Sequence, residues 1–209
     1  MTMKRPPGYF NAANDAANRG FTLVEILAVL AIFVLLIAAV LPSVSALRSA
    51  RLGAAAQSIM DEVNLCRSSA VAENKPVELC FLRKATAENA GFDRVQVRSL
   101  EQDGSRRWMT PSLRLPDGLL ISGDGTLSNL IGLQTVATNS DGDEEIAVRF
   151  YPSGEMSPVS PSPELNVVQT RYFTLAFATD LKRAPDTLPR NFATIQIDPR
   201  NSQATLHRP

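Results

Sequence analysis

The stretch RGFTLVEILAVLAIFVLLIAAVLPSV, residues 19–44, combines a long apolar run with one carboxylate near its start. No charged side chain occurs from Ile26 to Leu47. A helix of that length, at about 1.5 Å per residue, spans a hydrocarbon core about 30 Å thick. Glu25 stands where an ionised group is costly and is usually functional. The sequence therefore predicts a membrane-spanning helix over residues 21–47, with a functional role for its carboxylate.

The residues ahead of the run predict its orientation. Lys4, Arg5 and Arg19 are basic, and Asp15 is the single acidic residue among them. The N-terminus is therefore expected to stay cytoplasmic, and the rest of the chain to be exported. An alternative is a secretory signal peptide cleaved near Ala46, where small residues follow the apolar core. That alternative gives the carboxylate no function.

The start of the run resembles the class III leader of type IV prepilins and type II secretion pseudopilins. The residues that carry the resemblance are Gly20, Phe21, Thr22, Leu23, Glu25 and Pro42. It implies that residues 1–20 are a leader, which a prepilin peptidase removes between Gly20 and Phe21, and that Phe21 is then N-methylated. It also implies a single-pass protein of the bacterial inner membrane whose head is periplasmic or extracellular and joins a filament after assembly.

Glu25 is interpreted as an assembly residue. Cleavage would leave a positive α-amine on Phe21, which the glutamate of a neighbouring subunit can meet. Pairing offsets much of the cost of each charge in an apolar core, and one polar pair can fix the register of smooth apolar helices. The alternative is a carboxylate that reaches the headgroup region from the helix end. The spacing from Gly20 favours assembly.

Pro42 interrupts the apolar run. Proline removes one backbone donor and clashes with the preceding turn of a helix. Two interpretations stay open. Together with Gly53, it could mark a stretch that unwinds when subunits leave the bilayer for a fibre, or it could be a kink that membrane helices tolerate.

Beyond the membrane the helix is expected to continue over residues 48–75. One apolar face recurs at three-and-four spacing, at Ile59, Val63, Cys66 and Ala70. Asn74 and Pro76 are expected to end this amphipathic helix.

Residues 76–209 show the signals of a β-rich head domain. Short apolar segments bounded by turn residues predict strands at 77–82, 95–100, 113–115, 119–121, 146–150, 172–178, 192–197 and 204–207. No useful helical repeat separates them, so the sheets should be antiparallel. Residues 138–145 and 152–163 are expected to be surface loops, and 123–145 carries no strand prediction. The predicted fold class is α+β and pilin-like: a long helix, half transmembrane and half amphipathic, packed on a small antiparallel sheet.

The head resembles that of the minor pseudopilin H and FimT-like family. The segments that carry this are NLCRSSAVAENKPVELCF (64–81) and AVRFYPSGEM (147–156). Residues 108–131 and 188–209 are more similar to the D proteins of the Verru_Chthon prepilin cassette, although DPRNSQ (198–203) lacks the glycine of their last turn. The resemblance implies a minor pilin or pseudopilin of a type IV pilus or type II secretion-like filament. The implied partners are other pilin subunits, the prepilin peptidase, an inner-membrane assembly platform and membrane lipid.

No motif predicts an enzyme or a cofactor. The single histidine, His207, is nearly terminal, a poor place for the base of a catalytic triad. No phosphate-binding glycine loop or zinc-ligand spacing occurs.

The acidic stretch at 140–145 is a weak candidate for a calcium site. Asp141, Asp143 and Glu145 offer the oxygen ligands that Ca²⁺ prefers, without the spacing of the twelve-residue calcium loop. A solvated turn is favoured, and no metal is predicted.

Arginines near Trp108 form the best nucleic-acid candidate. They are Arg94, Arg98, Arg106, Arg107 and Arg114, and arginine with tryptophan can grip a phosphate backbone and stack bases. However, the chain has 21 basic and 21 acidic residues, so any patch must be local. Arginines that protect a strand edge are the favoured interpretation, and DNA is not an expected partner. A head that recognises DNA or a secreted substrate at the filament tip is the second hypothesis.

Cys66 and Cys80 flank the turn near Pro76. An antiparallel return could bring them within the roughly 4.4–6.8 Å Cα separation of a disulfide. One bridge and two buried free thiols both stay open.

Overall fold

The structure is a computed structural model that describes residues 21–85, 91–167, 170–184 and 187–209, with no side-chain surroundings for 38–45 and 166–167. The leader predicted over 1–20 lies outside the described residues. The chain divides into two compact units, Met1–Val44 and Ser45–Pro209.

The first helix, α1, runs from Leu23 to Glu73 and has residues in both units. It ends where the sequence predicts. Asn74 has a left-handed φ of 51°, and the Lys75 N–H donates to the Ala70 carbonyl at 3.3 Å. This arrangement satisfies a carbonyl of the last turn that would otherwise lack a partner.

Strands follow α1, with a few short helices between some of them. In the described residues they are β1 Val77–Lys84, β2 Arg94–Leu100, β3 Arg106–Trp108, β4 Leu113–Arg114, β5 Leu119–Ile121, α2 Asn129–Gly132, β6 Ala137–Thr138, β7 Asp143–Phe150, β8 Met156–Pro158, α3 Pro163–Val167, β9 Arg171–Phe177, α4 Ala178–Arg183, β10 Phe192–Ile197 and β11 Ala204–His207.

The strands form two antiparallel sheets. The larger sheet has the order β3-β2-β1-β7-β6, with β4 paired to β2 and β8 paired to β7. The smaller sheet has the order β11-β10-β9-β5. Each pairing between these strands is antiparallel, which confirms the prediction.

The core of the second unit lies between α1 and the two sheets. The helix contributes an apolar stripe at three-and-four spacing, made of Leu52, Ala56, Ile59, Val63, Cys66 and Ala70, all fully buried. The rings of Phe81 in β1 and Phe173 in β9 meet edge to face, with centroids 5.1 Å apart, and so join the sheets. The predicted α+β class and the predicted apolar face of the helix are both confirmed.

The chain end packs on the helix. The Arg208 Nη2 donates to the Ser49 carbonyl at 2.9 Å and lies 3.0 Å from the Ser49 hydroxyl. A Cβ at Gly53 would lie 2.5 Å from the Arg208 guanidinium. Gly53, one turn after Ser49 in the helix, therefore leaves the space that the Arg208 guanidinium occupies.

Two expected loops contain strands. Residues 138–145 include the start of β7 at Asp143, and 152–163 includes β8. The first was mistaken for a solvated turn because its carboxylates are charged, yet Asp143 and Glu145 are buried. Their cationic partners come from strands distant in the sequence.

Candidate assembly site and the charged face of the head

The N-terminus of α1 is closed by a reciprocal cap. The Glu25 N–H donates to the Thr22 hydroxyl at 3.2 Å, and the Thr22 N–H lies 3.5 Å from the Glu25 carboxylate. This is the T-x-x-E capping box, in which side chains satisfy amides that have no partner inside the helix. The interpretation of Glu25 as an assembly residue overlooked a second role, because the T-x-x-E pattern in the sequence also indicates a helix cap.

The residues around and after the cap are exposed and, apart from Thr22 and Glu25, apolar. Phe21 is 77% exposed, and every side chain over 21–37 is in the exposed class. Apolar surface of this extent marks a site of interaction with another apolar surface.

The remaining predicted residues of this segment are only partly described. Gly20 lies outside the described residues, and Pro42 lies within α1 in a stretch whose side-chain surroundings are not described. Among the described residues, no helix is both long enough and apolar enough to cross a membrane.

A buried carboxylate organises the outer face of the larger sheet. Glu78 is fully buried and stands in register with Arg98 of β2 and Arg149 of β7. The Arg98 Nε donates to it at 2.6 Å and the Arg149 Nη2 at 2.7 Å. Burial by itself would raise the pKa of Glu78, but the two guanidinium groups outweigh it, and the pKa is lowered. The carboxylate is therefore held ionised.

The acidic residues of β7 are engaged in the same way. The Arg98 Nη2 lies 2.6 Å from the Glu145 carboxylate. The Asp143 carboxylate lies 2.8 Å from the Lys84 Nζ and 2.9 Å from the Arg94 Nη2. The basic side chains of β1 and β2 therefore surround the carboxylate oxygens of Asp143 and Glu145.

The weak calcium candidate is not assembled by this geometry. Asp141 lies in the exposed turn before β7, whereas Asp143 and Glu145 are buried and ion-paired. In the part of the chain that the structure describes, no group of three His, Cys, Asp or Glu side chains could hold a metal ion.

The nucleic-acid candidate is largely engaged with carboxylates. Besides the pairs of Arg94 and Arg98, the Arg106 Nε lies 3.9 Å from Glu78 and the Arg107 Nε 3.5 Å from Glu101. These last two arginines belong to β3, at the end of the sheet order. Arg114 lies in β4, opposite Arg94. The arrangement agrees with edge-protecting arginines and does not favour a phosphate-binding surface. His207 is exposed on β11, the last strand of the smaller sheet.

Cys66 and Cys80 are free, buried thiols. Cys66 belongs to the core that includes Leu79 and Phe81 of β1, whereas Cys80 packs with Leu82 and Ala147. Because successive side chains of a strand point to opposite faces, Cys80 faces away from the helix. The two thiols therefore lie in different apolar clusters and form no disulfide.

We expect both cysteines to react with a thiol reagent after unfolding without reductant, and to resist it in the native chain. Burial raises the pKa of both thiols, so little reactive thiolate forms at neutral pH. Mass spectrometry after alkylation checks this by counting labels. Labelling that requires prior reduction would instead establish a bridge.

One sequence family matches the chain. The family described as "Prokaryotic N-terminal methylation motif" matches residues 15–41. This confirms the prepilin-type N-terminal motif that the sequence resemblance predicted. The match includes the cap residues and the whole exposed segment 21–37.

Solved structures similar to the chain include two minor pilin-type proteins. The type IV minor pilin FimU of Pseudomonas aeruginosa is 12% identical, with a TM-score of 0.43, over 76% of this chain and 92% of that chain. The minor pseudopilin EpsH of the Vibrio cholerae type 2 secretion system is 13% identical, with a TM-score of 0.44, over 76% and 98%. A further EpsH structure gives 17% and 0.43 over 77% and 96%. No curated protein sequence matches the chain significantly.

Proposed function

We propose that this chain is a minor pilin or pseudopilin, a non-enzymatic subunit of a type IV pilus or type II secretion-like filament. The methylation motif at residues 15–41 carries the proposal. In this proposal the prepilin peptidase cleaves between Gly20 and Phe21, and Phe21 is N-methylated. The protein then sits in the inner membrane, with its N-terminus cytoplasmic and its head exported, before the assembly platform adds it to the filament.

The exposed apolar segment supports assembly through the helix. The side chains over 21–37 present an apolar surface that lipid covers before assembly and neighbouring helices cover afterwards. Glu25 belongs to the first turn of α1. Its carboxylate therefore lies close in sequence to the new amine of Phe21, and the equivalent groups of neighbouring subunits can pair. One such pair gives the stacked helices a register.

The head has the role of a packed structural domain in this proposal. The second half of α1 is an integral part of its core, so a force on the helix is transmitted directly to both sheets. The likeness of residues 108–131 and 188–209 to the Verru_Chthon D proteins supports a place in that group. The filament that it serves would then be the one encoded with that cassette.

The mass of the N-terminal peptide from native membranes tests this proposal. We expect a peptide that begins at N-methylated Phe21 when the prepilin peptidase is active, and an intact leader when it is absent. Gly20→Val should abolish cleavage, because the peptidase motif requires the small residue before the cut. Gly8→Val, the same change elsewhere in the leader, should leave cleavage intact. A start near residue 47 would instead make the protein a secreted domain and end the filament proposal.

A further inference from the structure

A basic cavity lies where α1 enters the head. Its volume is about 390 Å³, and its lining includes Arg48, Asp180, Arg183, Leu188, Arg190 and Asn191. All of these residues belong to the unit Ser45–Pro209. The cavity therefore forms within the head.

Among the described residues that line this cavity, the guanidinium groups outnumber the carboxylates. Arg48 is held in place, since its Nη2 lies 3.7 Å from the Asp180 carboxylate and its guanidinium stacks 4.2 Å from the centroid of the Phe177 ring. Arg183 and Arg190 are exposed and make no ion pair with another described residue. The described lining thus has three positive groups and one negative group.

The combination of groups fits a phospholipid headgroup. Guanidinium binds phosphate with two parallel hydrogen bonds, so Arg183 and Arg190 provide suitable donors. Leu47 is 53% exposed and Leu188 is 52% exposed. Exposed leucines beside arginines are typical of surfaces that rest on the boundary between headgroups and acyl chains.

The position in the sequence points to the same ligand. Arg48 directly follows the predicted membrane span of residues 21–47. Arginine next to a span is normally concentrated on the cytoplasmic side, so a cluster on the exported side needs a local counter-charge. Anionic headgroups provide one and attract each basic residue near the surface.

We infer that this cavity binds the phosphate of an anionic phospholipid in the exported-side leaflet and seats the head on the membrane before assembly. The inference rests on the proposed function, which places residues 21–47 in that membrane. Arg48 is the positioned group, and Arg183 and Arg190 supply the free donors. DNA offers the same phosphate chemistry, but the place directly after the span favours lipid.

Native mass spectrometry of the full chain in detergent tests the site. The chain is titrated with phosphatidylglycerol and, separately, with phosphatidylcholine. We expect selective retention of phosphatidylglycerol, and a loss of roughly fivefold per arginine, about 25-fold in all, for Arg183→Gln with Arg190→Gln. The matched control, Arg67→Gln with Arg200→Gln, removes two exposed arginines elsewhere and should retain the lipid as the wild type does.

Several outcomes would overturn the inference. These are equal retention by the Arg183 and Arg190 variant, a wild-type chain with no preference for phosphatidylglycerol, and displacement of the lipid by equimolar inorganic phosphate or by duplex DNA. The variant replaces exposed side chains, and its unchanged circular dichroism would show that it is folded. Failure here with an N-terminal peptide that begins at Phe21 would overturn the lipid site alone. Selective retention by a chain that keeps its leader in cells with an active prepilin peptidase would overturn the filament proposal alone.

Discussion

Replacing Glu78 with glutamine should lower the free energy of unfolding of the head by about 3–5 kcal/mol, the usual cost of removing one partner from a buried ion pair. Arg98 keeps Glu145 as a partner, so we expect a value near the lower end. Arg149 has no second carboxylate within ion-pair distance among the described residues. Urea unfolding of the full chain in detergent measures the change. Glu155→Gln, an exposed carboxylate on the loop before β8, should change stability by less than about 0.5 kcal/mol.

The same substitution should remove part of the acid sensitivity of the fold. The pKa of Glu78 is lowered in the folded chain from an ordinary value of 4.5. Its stabilisation is therefore fully present above that value and is lost as the pH falls through the folded pKa. The difference between the wild type and Glu78→Gln should shrink across that window. A difference that stays constant down to the acid transition would show that the carboxylate is not the titrating group.

Replacing Glu25 with glutamine should reduce filament assembly by about a hundredfold or more, because losing one partner of a buried ion pair costs about 3–5 kcal/mol and about 1.4 kcal/mol corresponds to a factor of ten. Cleavage between Gly20 and Phe21 should continue, since the substitution lies beyond the cut. Sheared filaments and the N-terminal peptide, measured from the same cells, separate the two steps. Glu73→Gln, an exposed carboxylate at the other end of α1, is the matched control and should assemble normally.

The reciprocal cap makes a second variant informative. Glutamine can still accept the Thr22 N–H in a capping box, whereas alanine cannot. Glu25→Gln therefore removes the charge and keeps the cap, and Glu25→Ala removes both. Normal assembly of the glutamine variant with loss in the alanine variant would assign Glu25 to the helix start and contradict the charge pair.

The main helix and several strands could be predicted from the sequence, because they depend on the spacing of apolar residues along the chain. The stripe from Ile59 to Ala70 follows the helical repeat, and segments such as 119–121, 192–197 and 204–207 became strands with the predicted bounds. Each has apolar residues at strand spacing between turn residues, so local pattern and burial agree.

The buried charged residues could not be predicted from the sequence, because a charged side chain is usually exposed to solvent. Asp143 and Glu145 were expected in a solvated turn, yet they lie inside a sheet beside Lys84, Arg94 and Arg98. These partners come from β1 and β2, and nothing in the local sequence reveals that pairing. The short strands β3, β6 and β8 were missed because they hold arginine, threonine, serine or proline in place of the consecutive apolar residues that identified the equally short β5.

The candidate sites show the same contrast between local sequence patterns and contacts that only the fold creates. Gly20, Phe21 and Glu25 belong to a short motif with fixed spacing, so the sequence alone is enough to predict it, and a family model matches residues 15–41. The cavity of Arg48, Arg183 and Arg190 joins residues more than a hundred positions apart, and only the fold brings them together.

The bond between Arg208 and Ser49 has a consequence for the order of events during export. The two residues are 159 positions apart, and in the proposed export, with the N-terminus held in the cytoplasm, the contact joins a late part of the chain to the part of the head that crosses the membrane first. Loops of this length close slowly. The apolar stripe of α1 also needs strands of the smaller sheet that emerge last. In the proposed export, a chain halted in transit would therefore leave that stripe uncovered until the last strands arrive.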